Sequence, residues 1–369
     1  MKIMLFSGGS GGHLVPAMAL AEQLESEDRC FFVSTRRPVD QILSADGSRS
    51  VKWETVGLQP FAPLRRWFSP WYLACQIQAV GKIRSMIRGA RPDVVVGFGG
   101  YLSAVGVMAA RGAGIPTVIH EQNVLPGRAN RLLAWVADAV AVSFPETRRH
   151  LPKGMKVEET GNPMRIRAGS ATAARARAEL GFEPKRPVLL VMGGSQGSRT
   201  INRLVLGMWE QIPATRRQEL QVLHLAGPQE AGFVERAYRG LGGVKAVVVP
   251  FLHQMDLALA AATLAVSRAG ATGIAEMAVM GVPSILIPYP HAGGHQRANA
   301  RWMQQIGGAV VLEEGELSAV RLAKEVEGLL ADPRRIEVMR DTLRGHADGT
   351  AAGRLAGLVR RVARKRKGK

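Results

Sequence analysis

The residues best equipped for chemistry stand in two glycine-rich turns and one cluster of polar side chains. Gly8-Gly9-Ser10-Gly11-Gly12-His13 follows a short apolar run and opens a helix-periodic segment. Gly193-Gly194-Ser195-Gln196-Gly197 repeats that plan in the second half. Glycine lets backbone N–H groups come close to a ligand, and a helix N-terminus adds positive partial charge. A phosphate or diphosphate is therefore the expected guest of each turn. Neither turn is a dinucleotide fingerprint, because Leu14 stands where a third glycine belongs, and neither carries Gly-Lys-Ser/Thr. His13 falls in the first helical turn, where a neutral imidazole suits a general base; the alternative is a histidine that hydrogen-bonds a loop.

The polar cluster lies in residues 264–300. An apolar run ends at Ser267, a small-residue turn follows from Arg268 to Gly273, and Glu276 comes early in the next helical segment. A carboxylate there can accept two hydrogen bonds from a ribose diol, or simply stabilise a helix N-terminus. Beyond a second strand come His291, His295, Gln296 and Asn299. The two histidines have i,i+4 spacing, but Gly293-Gly294 between them opposes a helix and no third ligand is near, so no metal is expected. Gln296 and Asn299 each donate and accept, which suits the reading of sugar hydroxyls.

The elements that must position these residues are legible as a repeat. Residues 2–24 and 187–209 both read as strand, tight turn and helix, the opening of a βαβ unit. Further apolar runs at 31–35, 93–98, 117–121 and 139–144, then at 221–226, 246–251, 264–267 and 284–288, alternate with helical segments. That alternation predicts parallel sheets covered on both faces, an α/β fold of two doubly wound domains with a cleft between them. The break is expected near Gly161-Asn162-Pro163, giving domains at 1–162 and 163–344, with a final helix of about 345–369 packing back on the first.

Composition agrees. At 369 residues the chain exceeds one ordinary core, and its 46% hydrophobic content describes a globular protein. No apolar stretch reaches the ~20 residues of a membrane span, the start lacks a signal peptide, and two cysteines, Cys30 and Cys75, form no zinc or disulfide framework, so a reducing cytoplasm is expected. Part of the net charge of +19 lies at residues 360–369, which hold seven Lys or Arg and no acid, yet the body stays basic without them. Such a surface attracts polyanions, or is merely solvated. Residues 61–91 set Phe61, Trp67, Phe68, Trp71 and Tyr72 among Arg65, Arg66, Lys82, Arg84 and Arg88. That mixture fits a helix lying in an anionic membrane interface, the alternative being a core helix with a basic face.

Seven ordered motifs carry a resemblance over essentially the whole chain: GGSGGH (8–13), GFGGY (97–101), HEQN (120–123), GNPMR (161–165), GGSQG (193–197), SRAGATGIAE (267–276) and HAGGHQRANA (291–300). The chain resembles the UDP-N-acetylglucosamine transferase family of peptidoglycan synthesis, the MurG family. The resemblance implies a GT-B fold of two Rossmann-like domains, and inverting, metal-independent transfer of N-acetylglucosamine to undecaprenyl-diphosphate-N-acetylmuramoyl-pentapeptide. It implies no cofactor and a peripheral place on the cytoplasmic face of the cell membrane, with other cell-wall synthesis proteins as partners. By position, Glu276 would hold the ribose hydroxyls, the backbone at Phe251 and Leu252 would read uracil, and Ser195 and Gln196 would contact the diphosphate. Arg165 would pair with phosphate, while Gln296, Asn299 and Asn123 would address the sugar, with Asn130 beside them. Ser10, Gly11, Gly12, Gly99, Gly100 and Tyr101 would receive the lipid diphosphate. His13 is the first candidate for the base and Glu121 the second; Trp67, Phe68, Trp71, Tyr72, Arg65 and Arg66 would face the membrane. Rival readings are a GT-B transferase with another acceptor, a UDP-sugar epimerase, and a nucleic-acid-binding protein, the last without any recognisable nucleic-acid module.

Overall fold

Alternation of short apolar strands with helices builds two all-parallel sheets. The computed structural model describes residues 1–8, 11–24, 28–35, 52–57, 70–166, 169, 171–347 and 349–367. The chain divides into two compact units, Met1–Arg165 with Thr350–Lys369, and Ile166–Gly349. Ser10, Arg65, Arg66, Trp67 and Phe68 lie outside the described residues.

In the first unit the elements run β1 (Lys2–Phe6), α1 (Gly11–Leu24), β2 (Arg29–Ser34), β3 (Lys52–Thr55), α2 (Pro70–Ala90), β4 (Val94–Gly97), α3 (Gly100–Gly112), β5 (Thr117–Glu121), α4 (Arg128–Leu133), β6 (Ala139–Val142) and β7 (Val157–Glu159). The strand order is β3-β2-β1-β4-β5-β6-β7. Central strands are buried on both faces, as parallel strands covered by helices must be. One face packs on α2 and α3. Ser103 ties α3 to the sheet, donating to the Phe6 carbonyl at 2.7 Å and accepting from Phe98 N–H at 3.1 Å.

The other face is closed by α1 together with the last helix of the chain, Ala351–Lys367, whose Leu355, Leu358, Val359 and Val362 enter that core. Arg360 on this helix donates to Asp28 at 2.9 and 3.0 Å, and the N-terminal ammonium reaches the same carboxylate at 2.8 Å. Burial, the largest single influence, pushes the Asp28 carboxyl up, but the ammonium and Arg360 together outweigh it and hold it below its usual value.

The second unit contains α5 (Ala173–Glu179), β8 (Val188–Met192), α6 (Arg199–Gln211), α7 (Ala214–Arg217), β9 (Gln221–Leu225), α8 (Ala231–Leu241), β10 (Lys245–Val249), α9 (Met255–Ala261), β11 (Leu264–Ser267), α10 (Ala271–Met280), β12 (Ser284–Leu286), α11 (His295–Gln305), β13 (Ala309–Val311), α12 (Ala319–Leu330) and α13 (Pro333–His346); the helix Ala351–Lys367, α14, belongs to the first. Its sheet order is β10-β9-β8-β11-β12-β13, the same winding as the first.

One wholly buried histidine sits in each sheet, His120 on β5 and His224 on β9. Burial pushes the first down to about 4 and the second to about 3. Both stay neutral in the folded chain, whereas the unfolded chain takes up protons below about 6.5. Stability is therefore full above that value and falls as pH drops toward the folded values. At pH 5 each histidine costs about 2 kcal/mol relative to neutrality. Urea titrations at pH 7.5 and 5 are expected to show a lower midpoint at pH 5, with the loss partly removed in His224→Gln.

One expectation for the membrane face is changed. Tyr72 is buried at 6% exposure, because α2 turns Tyr72, Ala79, Ile83 and Ile87 inward at helical spacing. Burial first, and then the neighbouring Tyr72, holds the half-buried Tyr101 phenol above its ordinary value. Trp71 stands 69% exposed, joined by Ile77 on α2, Met108 on α3, and Leu132 and Trp135 on and after α4. The helices α2, α3 and α4 pack side by side. No helix among the described residues is long and apolar enough to cross a membrane.

Candidate active site

In a doubly wound sheet the strands where the winding reverses leave a crevice at their C-terminal ends, and ligands bind there. In the first unit those strands are β1 and β4. The turn after β1 leads into Gly11, Gly12 and His13 at the start of α1, and the turn after β4 contains Gly99 at φ +94° and Gly100 at φ +75°. A Cβ on Gly99 would stand 3.2 Å from His13 Nε2, and one on Gly100 3.7 Å from His13 Nδ1. The imidazole thus lies against a glycine turn that no other residue could form without strain or crowding.

Glu121, at the end of β5, anchors a hydrogen-bond network. Glu121 is 2% exposed; its Oε1 accepts from Asn123 N–H at 2.9 Å and Asn123 Nδ2 at 3.1 Å. Its Oε2 accepts from Gly127 N–H and Asn130 Nδ2, both at 2.9 Å. Donors occupy both oxygens, and Glu121 thereby shapes the loop that follows β5. Asn123 and the buried Asn130 each donate an amide N–H to this network. His120, a residue whose type alone signals no role here, donates from Nε2 to the Gly161 carbonyl at 3.0 Å and accepts at Nδ1 from Gln122 at 3.0 Å. It links β5 to the GNPMR segment. Arg165, expected on a phosphate, pairs with Glu22 of α1 at 2.8 Å, a carboxylate of its own unit.

In the second unit the reversing strands are β8 and β11. Gly197 (φ +73°) and Gly227 (φ +87°) press their backbones together, for a Cβ on the first would fall 2.3 Å from the Ala226 carbonyl and one on the second 2.5 Å from that of Gln196. On the other side Gly194, Ser195 and Gln196 are exposed, and a Cβ on Gly194 meets nothing within 4 Å. The turn is anchored on one flank and open on the other, as an anion cradle must be. It leads into α6, whose N-cap Ser198 accepts from Ile201 N–H.

After β11, Arg268 is a hub that the sequence reading treated as part of a small-residue turn. Its guanidinium, 8% exposed, donates to Ser198 Oγ at 3.0 Å and the Ile287 carbonyl at 3.2 Å, pairs with Glu314, and sits 5.3 Å over the Tyr289 ring. An arginine placed directly after a buried strand, amid small apolar residues, was the available signal. Gln296 Oε1 accepts from Ala269 N–H at 3.3 Å and Tyr289 N–H at 2.9 Å, while Asn299 Nδ2 donates to the Ala269 carbonyl at 3.1 Å. These amides clamp the turn after β11. Asn299 is wholly buried, while Gln296, half-buried, turns its Oε1 to the two backbone N–H groups. Glu276, on α10, is crowded by neighbouring atoms, and this burial pushes its carboxyl up to about 7. Phe251 and Leu252 follow β10, half-buried, with the Phe251 ring edge-on to His253 at 4.9 Å.

Two doubly wound parallel sheets, each with a glycine-rich turn opening a helix where its winding reverses, make the GT-B architecture. Residues 3–142 match the glycosyltransferase family 28 N-terminal domain and residues 188–352 the family 28 C-terminal domain. A UDP-N-acetylglucosamine–N-acetylmuramyl-(pentapeptide) pyrophosphoryl-undecaprenol N-acetylglucosamine transferase of Halothermothrix orenii is 35% identical, covering 99% of this chain and 100% of its own. The protein of that name from Desulfotalea psychrophila is 38% identical over 98% and 96% of the two chains. The crystal structure of Acinetobacter baumannii MurG superposes with a TM-score of 0.74 at 26% identity, over 98% of this chain and 99% of that one. A UDP-glucosyltransferase from Polygonum tinctorium, 16% identical over 98% of each chain, shares the fold at a TM-score of 0.69. The chain belongs to glycosyltransferase family 28, within its MurG branch.

Proposed function

We propose that this protein transfers N-acetylglucosamine from UDP-N-acetylglucosamine to the C4 hydroxyl of undecaprenyl-diphosphate-linked N-acetylmuramoyl-pentapeptide, with inversion. Its near full-length likeness to transferases of that name carries the reading. The acceptor hydroxyl attacks the anomeric carbon while UDP departs from the opposite face, and His13 takes the hydroxyl proton. Charge developing on the diphosphate meets the exposed turn at Ser195 and Gln196 and the N-terminus of α6, fixed donors that need no metal or other cofactor. Glu276 accepts from the ribose hydroxyls, Gln296 donates to the sugar, and the backbone at Phe251 and Leu252 faces the base. In the first unit Gly11, Gly12, Gly99, Gly100 and Tyr101 receive the lipid diphosphate. UDP release from UDP-N-acetylglucosamine should require the lipid-linked acceptor; comparable turnover on soluble sugar acceptors alone would sink the assignment.

The lipid acceptor demands a membrane, and the exposed Trp71, Ile77, Leu132 and Trp135, on helices that also expose Arg84, Arg88, Arg128 and Arg131 or just after them, suit an anionic surface at the cytoplasmic face. The double variant Trp71→Ser, Trp135→Ser is expected to bind phosphatidylglycerol vesicles at least about tenfold more weakly while keeping its thermal midpoint. Equal co-sedimentation would remove this face from consideration.

A further inference from the structure

A chain of buried polar groups in the second unit ends at the glycine turn without touching any exposed surface. Trp209 Nε1–H donates to the Tyr238 hydroxyl at 3.2 Å. Tyr238 Oη lies 3.0 Å from His224 Nδ1, and His224 Nε2 lies 3.0 Å from Asn202 Oδ1. Asn202 Nδ2 donates to the Ala226 carbonyl at 2.9 Å. The directions are determined at both ends: the indole can only donate, and an amide whose nitrogen serves a carbonyl presents its oxygen to the imidazole. His224 must then carry its proton on Nε2 and accept from the tyrosine at Nδ1. His224 and Asn202 are wholly buried and Tyr238 nearly so. Leaving any of these groups unpaired would cost the full penalty of a buried polar atom.

The carbonyl on which the chain ends is the one against which Gly197 is packed. Asn202 also lies on α6 one turn beyond Ser198, its N–H bonded to the Ser198 carbonyl at 2.9 Å. One side chain therefore fastens the helix to the end of β9, with the glycine turn held between them. Aliphatic residues could fill the same volume without directing the Ala226 carbonyl.

We propose that His224 is a positioning residue for the donor diphosphate turn, acting through Asn202 and the Ala226 carbonyl. The proposal rests on the assignment of residues 193–197 to the donor. His224 touches no substrate; it orients the Asn202 amide, which sets the carbonyl, which sets the backbone at Gln196 and Gly197.

Calorimetry of the full chain with UDP tests this. His224→Leu should raise the UDP dissociation constant about tenfold, the scale of one misdirected hydrogen bond. His224→Gln, whose amide can still donate to Asn202 Oδ1, should stay within about twofold of the parent. Tyr238→Phe should lower the urea midpoint through its unpaired neighbours yet also stay within about twofold, because the link from Nε2 to Ala226 is intact. Should His224→Leu fail to fold, Asn202→Leu reads the same link, since it keeps the shape but cannot donate to a carbonyl. An unchanged constant in that variant or in His224→Leu overturns the proposal, as does a loss in Tyr238→Phe equal to that in His224→Leu. Absence of UDP binding by the parent chain overturns the donor assignment, and this inference with it.

Discussion

His13→Ala is expected to lower kcat by about 10² to 10⁴-fold, the range by which a positioned base assists proton transfer. The donor KM should change little. The expectation rests on where the ring is held. It lies against Gly99 and Gly100 at the reversal of the first sheet, where the backbone conformations admit only glycine. The nearest rival carboxylate, Glu121, has both oxygens engaged by donors, and the neighbouring His120 is buried and held neutral. Glu276→Ala should do the reverse, raising the donor KM and leaving the rate at saturation largely intact. Steady-state kinetics with both substrates varied separates the two. An unchanged kcat in His13→Ala would end its candidacy as the base.

Gly197→Ala is expected to reduce kcat/KM for the donor about 100-fold and to destabilise the second unit by roughly 3 kcal/mol. Two costs combine. The residue sits at φ +73°, which an L side chain adopts with a penalty of about 1–2 kcal/mol. The added methyl would also meet the Ala226 carbonyl at 2.3 Å and Gly227 Cα at 2.8 Å, and both are backbone. No rotamer change relieves that contact, so the turn itself must move. Gly194→Ala is the control, with the same sign of φ but open space around the methyl. It should lose about 1–2 kcal/mol at most. Equal kinetics in the two variants would show that the contact with β9 does not position the turn.

The central strands and the glycine turns were legible because a parallel strand covered on both faces is a bare apolar run ending in glycine. The edge strands β3, β7 and β13 were not. Lys52–Thr55 and Val157–Glu159 are short and largely polar, as one-sided edges can be, and Ala309–Val311 has only three residues. The site was half legible. Residue type told that Glu121, Asn130, Gln296 and Asn299 can hydrogen-bond, but not to what. The structure gives most of that capacity to backbone amides and carbonyls, since turns without helical or sheet pairing need side chains to satisfy them. Arg165 shows the same limit, for its charge meets Glu22, far away in the sequence.

The closure of the first core by α14 has a consequence for synthesis. Arg360 reaches Asp28 across 332 residues, and Leu355, Leu358 and Val359 fill a core whose other members were made first. Residues 166–349 must be translated in between, which takes roughly 10–40 s at bacterial ribosome speeds. The amino-terminal unit, first to emerge, is thus the last to be completed. Until α14 emerges it presents an open apolar face to chaperones, and a chain cut before residue 351 would carry a finished second unit attached to an unfinished first.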